Sequence, residues 1–188
     1  MTTPVKICSN ALLRLGSKPI ADLNEATPMA QVAANLYPAV RDSVLRMHPW
    51  NCAMKRAELA QESSSPPFGY TYSYALPSDF LRAWVVTDDG IHPIEYAVER
   101  RSLLTDSGTV YLQYVFSNED PSTWDTNLLE LMEVRMAAAM AMAVTGDAGK
   151  KQEFEREALQ IMRMARAVDG MENPAQPFPE SSLMSVRR

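Results

Sequence analysis

The distribution of proline constrains this chain more than any other feature of its sequence. There are 13 prolines among the 188 residues, yet none lies between Pro121 and Pro174. Proline removes a backbone donor and clashes with the preceding helical turn, so long helices form where it is absent. The interval therefore predicts the main helices of the fold, and the proline-containing remainder predicts shorter elements.

Two helices are predicted before this interval. Thr3-Pro4 is typical of an N-cap followed by proline in the first turn, and Gly16 ends the apolar pattern that follows. The second pattern covers about residues 28–47. Pro38 lies inside it, which predicts a bend at that point because the apolar stripe continues on both sides.

Two more helices are predicted inside the interval. The segment from Leu128 to Val144 is apolar almost all round, which is typical of a helix enclosed by neighbours, and Asp125 is a candidate N-cap. An amphipathic helix follows at about 148–169, closed by Gly170. Its inward face is predicted to contain Phe154, Ala158, Ile161, Met162, Ala165 and Val168.

Between the second and third helices, the apolar pattern changes to the alternation of β-strands. Asp88-Asp89-Gly90 and Asp106-Ser107-Gly108 are turn sequences. The strand candidates are the second half of CAMKRAELA (52–60), YTYSYAL (70–76), FLRAWVV (80–86) and TVYLQYVF (109–116).

Together these elements predict an α+β fold that is mainly α. Residues 1–51 and 121–171 are expected to form a discontinuous four-helix bundle core, and residues 52–120 a small antiparallel β-sheet inserted into it. Residues 172–188 contain three prolines and no periodic apolar face, which predicts an extended tail. The composition, 46% hydrophobic and 22% charged, is that of a globular protein.

Composition and motifs argue against several functions. The net charge of −5 argues against a DNA-binding protein or a helical regulator, since these usually carry a basic surface. The sequence contains no P-loop, no G-x-G-x-x-G and no G-x-S-x-G motif. Its longest apolar run, Met136 to Val144, is shorter than the ~20 residues that span a bilayer. We therefore expect no membrane association and no bound cofactor.

The segment His48-Pro49-Trp50-Asn51-Cys52 interrupts the second helical pattern. His48 and Cys52 are four residues apart, but Pro49 breaks any helix between them, and zinc needs about four ligands. A structural junction is the preferred interpretation. In it, the helix ends near Met47 and Trp50 fills the space between that end and the core.

A second cluster has the composition of an acid–base or metal site. Asp88, Asp89, His92 and Glu95 lie within one short segment. A small hydrolase or metal-dependent enzyme that uses these four side chains is the alternative hypothesis for the chain. Asp-Asp-Gly is also a common turn sequence, so the hypothesis depends on whether the side chains converge.

Four stretches, taken in order, resemble the head-to-tail adaptor proteins of short-tailed phages, the tail tubular protein A family. The resemblance covers roughly residues 5–170. It implies a structural virion protein without catalytic activity, which forms a ring of about twelve copies between the portal and the tail nozzle and lines the DNA passage. The stretches are NALLRLGSKPI (10–20), VRDSVLRMHPWNCAMKRAEL (40–59), YALPSDFLR (74–82) and VYLQYVFSNEDPSTWD (110–125).

The resemblance also implies partners and contact sites. The chain would be made in the cytoplasm of a bacterial host and would bind copies of itself, the portal protein and the nozzle protein in the virion. Genomic DNA would pass without specific binding, because an acidic chain does not hold phosphate. The residues expected to bind the portal or a neighbouring subunit are Phe178, Leu183, Met184, Arg187 and Arg188. The residues expected in nozzle-contact loops are Ser64, Pro66, Phe68, Asp88, Asp89 and Ser107.

Overall fold

A computed structural model describes residues 2–172 of the chain. This part contains four α-helices and six β-strands, and the strands all lie between the second and third helices. In chain order the elements are α1 (Pro4–Arg14), α2 (Pro28–Arg46), β1 (Met54–Glu58), β2 (Tyr72–Ala75), β3 (Phe80–Thr87), β4 (Ala97–Glu99), β5 (Ser102–Thr105), β6 (Tyr111–Phe116), α3 (Thr126–Thr145) and α4 (Ala148–Glu172).

The helix starts follow the capping residues that the sequence predicts. The side chain of Thr3 accepts a hydrogen bond from the backbone N–H of Lys6, and Asp125 accepts one from Leu128 at 2.9 Å. These contacts satisfy donors that the first helical turn leaves free. Gly146 ends α3 in the left-handed conformation, with φ of 68°, which glycine adopts without strain.

α2 and α4 both continue past a residue that disfavours helix. α2 continues through Pro38 to Arg46. α4 does not end at Gly170, as the sequence pattern predicted, but extends to Glu172. Glycine alone costs a helix only about 1 kcal/mol relative to alanine, so it does not stop a helix whose neighbouring side chains are anchored.

α3 is the centre of the helical core. It packs against α1, α2 and α4, whereas α1 and α2 make little contact with each other. A helix that is apolar almost all round needs several neighbours, and α3 has three. Its buried side chains are Leu128, Leu131, Met132, Val134, Met136, Ala137, Ala138, Met140 and Ala141.

The prediction of a four-helix bundle core is therefore wrong, although the fold is α+β. In a bundle, each helix packs against two neighbours around a shared centre. Here α1, α2 and α4 each pack their apolar face mainly against α3. A helix therefore lies where a four-helix bundle has its shared apolar centre. The apolar pattern predicts which residues of a helix are buried, but it does not determine which helix covers which face.

The β-strands form two sheets, where the sequence predicted one. The first sheet has the order β1-β6-β3 and the second sheet the order β2-β5-β4, and all neighbouring strands are antiparallel. The strands β4 and β5 were not predicted. β5 buries Leu103, Leu104 and Thr105 in succession, so it lacks the alternation that reveals a half-buried strand.

A second hydrophobic core lies between the two sheets, separate from the core around α3. In β6, Leu112 and Tyr114 belong to this second core, while Val115 belongs to the helical core. The first sheet therefore contributes to both cores. The buried members of the second core are Leu59, Tyr74, Leu76, Val86, Leu103, Val110, Leu112 and Tyr114.

Both cysteine thiols are expected to be unreactive in the folded protein. Cys8 is fully buried and Cys52 is half-buried, and burial raises the pKa of each thiol to about 12. The thiolate is the reactive form, and at pH 8 almost none is present. A colorimetric disulfide reagent should detect no thiol in the native protein and two in denaturant. Rapid titration of one thiol in the native state would contradict this expectation.

Candidate functional site

The segment after α2 is held against the last turns of α4 by hydrogen bonds among His48, Asn51 and Asp169. Nε2 of His48 lies 3.0 Å from Oδ2 of Asp169, and the backbone N–H of Asn51 donates to Oδ1 at 3.0 Å. The Asn51 side chain also donates to the Asp169 backbone carbonyl at 2.9 Å. Asp169 is buried, so these hydrogen bonds replace the water that its carboxylate would otherwise bind.

Trp50 fills the corner that this junction creates. Its side chain is fully buried in the helical core, and its Nε1–H donates to the backbone carbonyl of Val44 at 3.1 Å. The ring of His48 packs edge-on against it, with the centroids 4.7 Å apart. This geometry agrees with a structural role for the segment, because its polar atoms are engaged in anchoring α2 to α4.

Asp169 is the residue of this junction that the sequence interpretation missed. Val168 was predicted to face inward, but its side chain is 42% exposed, and Asp169 occupies the buried position. Asp169 continues the helical spacing of Ala158, Met162 and Ala165. A carboxylate at the next position of an apolar stripe is itself an indication that a donor lies opposite.

The second cluster, at residues 88–95, does not form a convergent site. Nδ1 of His92 lies 2.6 Å from Oδ2 of Asp89, and Oδ1 of Asp89 accepts backbone N–H groups of its own turn. Asp88 instead accepts from Ser107 at 3.3 Å, and Glu95 is exposed. Within residues 2–172, no group of three or more His, Cys, Asp or Glu side chains is placed to hold a metal ion. The cluster is a turn stabilised by its own polar side chains.

The pKa values of the two histidines are expected to be shifted in opposite directions from the ordinary value of 6.5. Burial lowers the pKa of His48, and the hydrogen bond with Asp169 does not compensate fully. The hydrogen bond with Asp89 raises the pKa of the exposed His92. Protonating His48 therefore costs folding stability as the pH falls below 6.5, whereas the contribution of His92 is lost as the pH rises through its raised pKa.

Proton NMR of the two imidazole rings measures this difference. Asp89→Asn should bring the pKa of His92 back toward 6.5 and leave His48 unchanged. The two rings titrating together near 6.5 in the unmodified protein would contradict the geometry of both sites.

The structure brings two of the predicted nozzle-contact turns together. The side chain of Ser107 donates to Asp88, and the side chain and backbone N–H of Thr71 donate to Asp106 at 2.8 and 2.9 Å. The loop that precedes Thr71 therefore ends beside the same turns. We call this region, residues 61–71, 88–92 and 106–109, the loop end.

The loop end lies away from the helical core. In the first sheet, Glu58 and Thr87 both pair with Tyr111 at the loop end, whereas Met54 and Phe80 pair with residues 115 and 116 beside the helices. Phe68 is 85% exposed and Ile91 is 66% exposed at this end. Of the other predicted contacts, Ser64, Asp88 and Asp89 are exposed, and Pro66 and Ser107 are half-buried.

Ile91 was missed by the sequence interpretation, which treated the segment as a polar turn. Exposed large apolar side chains indicate a binding surface only when they cluster. Phe68 and Ile91 lie on segments that the hydrogen bonds of Ser107 and Thr71 hold beside one turn. The predicted portal contacts, Phe178, Leu183, Met184, Arg187 and Arg188, lie outside the described residues.

A polar junction joins the helices to the first sheet. Arg41 of α2 is buried and donates to Asp42, Ser117 and Glu119 at 2.9, 2.9 and 3.2 Å. A buried guanidinium is tolerated because acceptors surround it. Arg46 in the last turn of α2 donates to the backbone carbonyl of residue 81.

Asp79 extends this junction into the sheet. Its carboxylate accepts from Lys55 of β1 at 2.7 Å and from the hydroxyl of Tyr114 of β6 at 3.0 Å. Burial alone would raise the pKa of Asp79, but these two hydrogen bonds outweigh it and lower the pKa. The Leu-Pro-Ser-Asp sequence therefore anchors the start of β3 to both other strands of its sheet.

Compared with known protein families and with curated proteins, the chain shows no significant match. None of the helices between residues 2 and 172 combines the length and the hydropathy that crossing a membrane requires.

Proposed function

We propose that the chain is a structural adaptor of a short-tailed phage. In this role it forms a ring of about twelve copies that joins the portal to the tail nozzle, and the genome passes through the ring. The role requires neither a catalytic residue nor a cofactor. The partners would be other copies of the chain, the portal protein and the nozzle protein, and the place of action would be the head–tail interface of the virion.

Three of the four stretches that resemble the adaptor family meet at one junction in the fold, and this observation carries the proposal. Asp79, from the stretch 74–82, binds Lys55, from the stretch 40–59. Asn118, from the stretch 110–125, donates to the backbone carbonyl of Cys52 at 2.7 Å. Motifs that build one local structure are a more specific basis for a resemblance than matches scattered over unrelated surfaces.

An adaptor also needs a binding surface for each of its two partners. The loop end offers one, because its apolar side chains Phe68 and Ile91 are exposed on anchored segments. Such side chains contribute most to affinity when a partner covers them. The net charge of −5 suits a DNA passage, since contacts with phosphate would add affinity and slow transit.

Binding to each partner separately tests this assignment of surfaces. The full chain should bind immobilised portal and nozzle proteins from the same genome. Deletion of residues 174–188 should abolish binding to the portal only, and Phe68→Ser with Ile91→Ser should weaken binding to the nozzle only. Leu13→Ser, at an exposed apolar residue of α1, is the matched control. Full portal binding by the deleted chain would overturn the tail assignment.

A further inference from the structure

An open groove crosses the outer face of the first sheet. Two adjoining cavities form it, with volumes of about 320 and 450 Å³, and both are lined by Arg56 and Gln113. Because Leu112 and Tyr114 face the second core, Gln113 between them faces outward into the groove. The groove extends from the loop end, at Gly90, to the end of α4.

The groove presents an exposed aromatic side chain and an arginine that are available to bind a ligand. Trp84 is 50% exposed, and the guanidinium of Arg82 lies 5.5 Å from its ring centroid. Arg56 takes part in none of the ion pairs of the described residues. The unpaired guanidinium of Arg56 and the exposed indole of Trp84 both line the groove and favour a ligand that is both acidic and apolar.

We propose that this groove binds the C-terminal segment of the same chain, residues 173–188. The described chain ends at Glu172, and Gly170 already lines the groove. An extended segment of this length reaches ~50 Å, whereas the six-residue strand β6 is only ~20 Å long. The segment therefore starts at the groove and is long enough to cross the whole sheet.

The composition of the segment matches the groove. It begins with Asn-Pro-Ala-Gln-Pro-Phe-Pro-Glu, residues 173–180. Proline-rich segments bind to aromatic-lined grooves because their restricted backbone loses little entropy on binding. Trp84 and the partly exposed Tyr111 are the aromatic groups, and Glu180 is the carboxylate that pairs with Arg56. This inference does not depend on the adaptor role, since it concerns the free chain.

Fluorescence quenching of the full chain tests the proposal. Trp50 and Trp124 are buried, so acrylamide quenching reports mainly on Trp84, and Trp84→Phe defines the background. Glu180→Arg, Phe178→Ser and Arg56→Glu should each remove the shielding of Trp84. The double variant with Arg56→Glu and Glu180→Arg should restore it. Glu153→Arg, a charge reversal at an exposed residue of α4, is the matched control and should change nothing.

A peptide of residues 173–188 provides the second measurement. It should bind the Phe178→Ser chain, whose own segment no longer competes, more tightly than it binds the unmodified chain. Equal quenching in all variants, or no binding of the peptide, would overturn the proposal. Shielding that disappears on dilution would also overturn it, because the groove would then bind the segment of a second copy.

Discussion

Replacement of Trp50 by alanine is expected to lower the free energy of unfolding by about 3–5 kcal/mol. Its side chain is fully buried at the point where α2 ends, and its Nε1–H pairs with the backbone carbonyl of Val44. The substitution therefore leaves a cavity in the helical core and removes one of the two hydrogen bonds that the Val44 carbonyl accepts, the other coming from the backbone N–H of Met47. Urea denaturation followed by far-UV circular dichroism measures the change without relying on tryptophan fluorescence.

Trp84→Ala is the matched control for this prediction. The residue type is the same, but the side chain is half exposed on the first sheet. We expect a loss of about 1 kcal/mol or less, the range of strand preferences at partly exposed positions. Equal losses for the two substitutions would show that the segment 48–52 is not the structural junction described above.

Asp169→Ala is expected to cost about 1–3 kcal/mol, because it leaves two half-buried donors without an acceptor. The backbone N–H of Asn51 and the ring of His48 both lose their partner, although they lie more than a hundred residues away in the chain. Asp169→Asn should cost less, since one amide oxygen still accepts from Asn51. The free energy of unfolding in urea is the quantity to compare.

A double-mutant cycle with His48→Ala separates the pair from the rest of the junction. The two substitutions together should cost less than the sum of the single changes. Glu153→Ala, at an exposed position of the same helix, is expected to change stability by about 0.5 kcal/mol or less. An Asp169→Ala variant as stable as Glu153→Ala would contradict the anchoring role of Asp169.

The helices could be predicted because the residues that determine each helix lie close together in the sequence. Thr3 and Asp125 cap the helices that the sequence predicts, and the apolar run from Leu128 to Val144 forms the enclosed helix. Each of these features depends on residues within a few positions of one another. Periodicity describes one element at a time, so the arrangement of three helices around α3 did not follow from it.

The junctions were not predictable for the same reason. Asp169 and His48 are brought together by the packing of α4 and α2, and neither sequence segment indicates the other. The proximity of Ser107 and Asp88 likewise depends on the pairing of β3 and β6. The segment 48–52 did indicate a junction, because Pro49 ends the helix that precedes it and Trp50 is large enough to fill the space between that helix end and the core.

The mass of the complex with the portal protein tests the proposed function most directly. Size exclusion with multi-angle light scattering is applied to the chain alone, to the portal protein from the same genome, and to their mixture. The adaptor role predicts a stable complex in the mixture that carries about twelve chains on each portal ring. Two unchanged peaks, across a range of salt concentrations and with the intact C-terminal segment, would contradict the adaptor role.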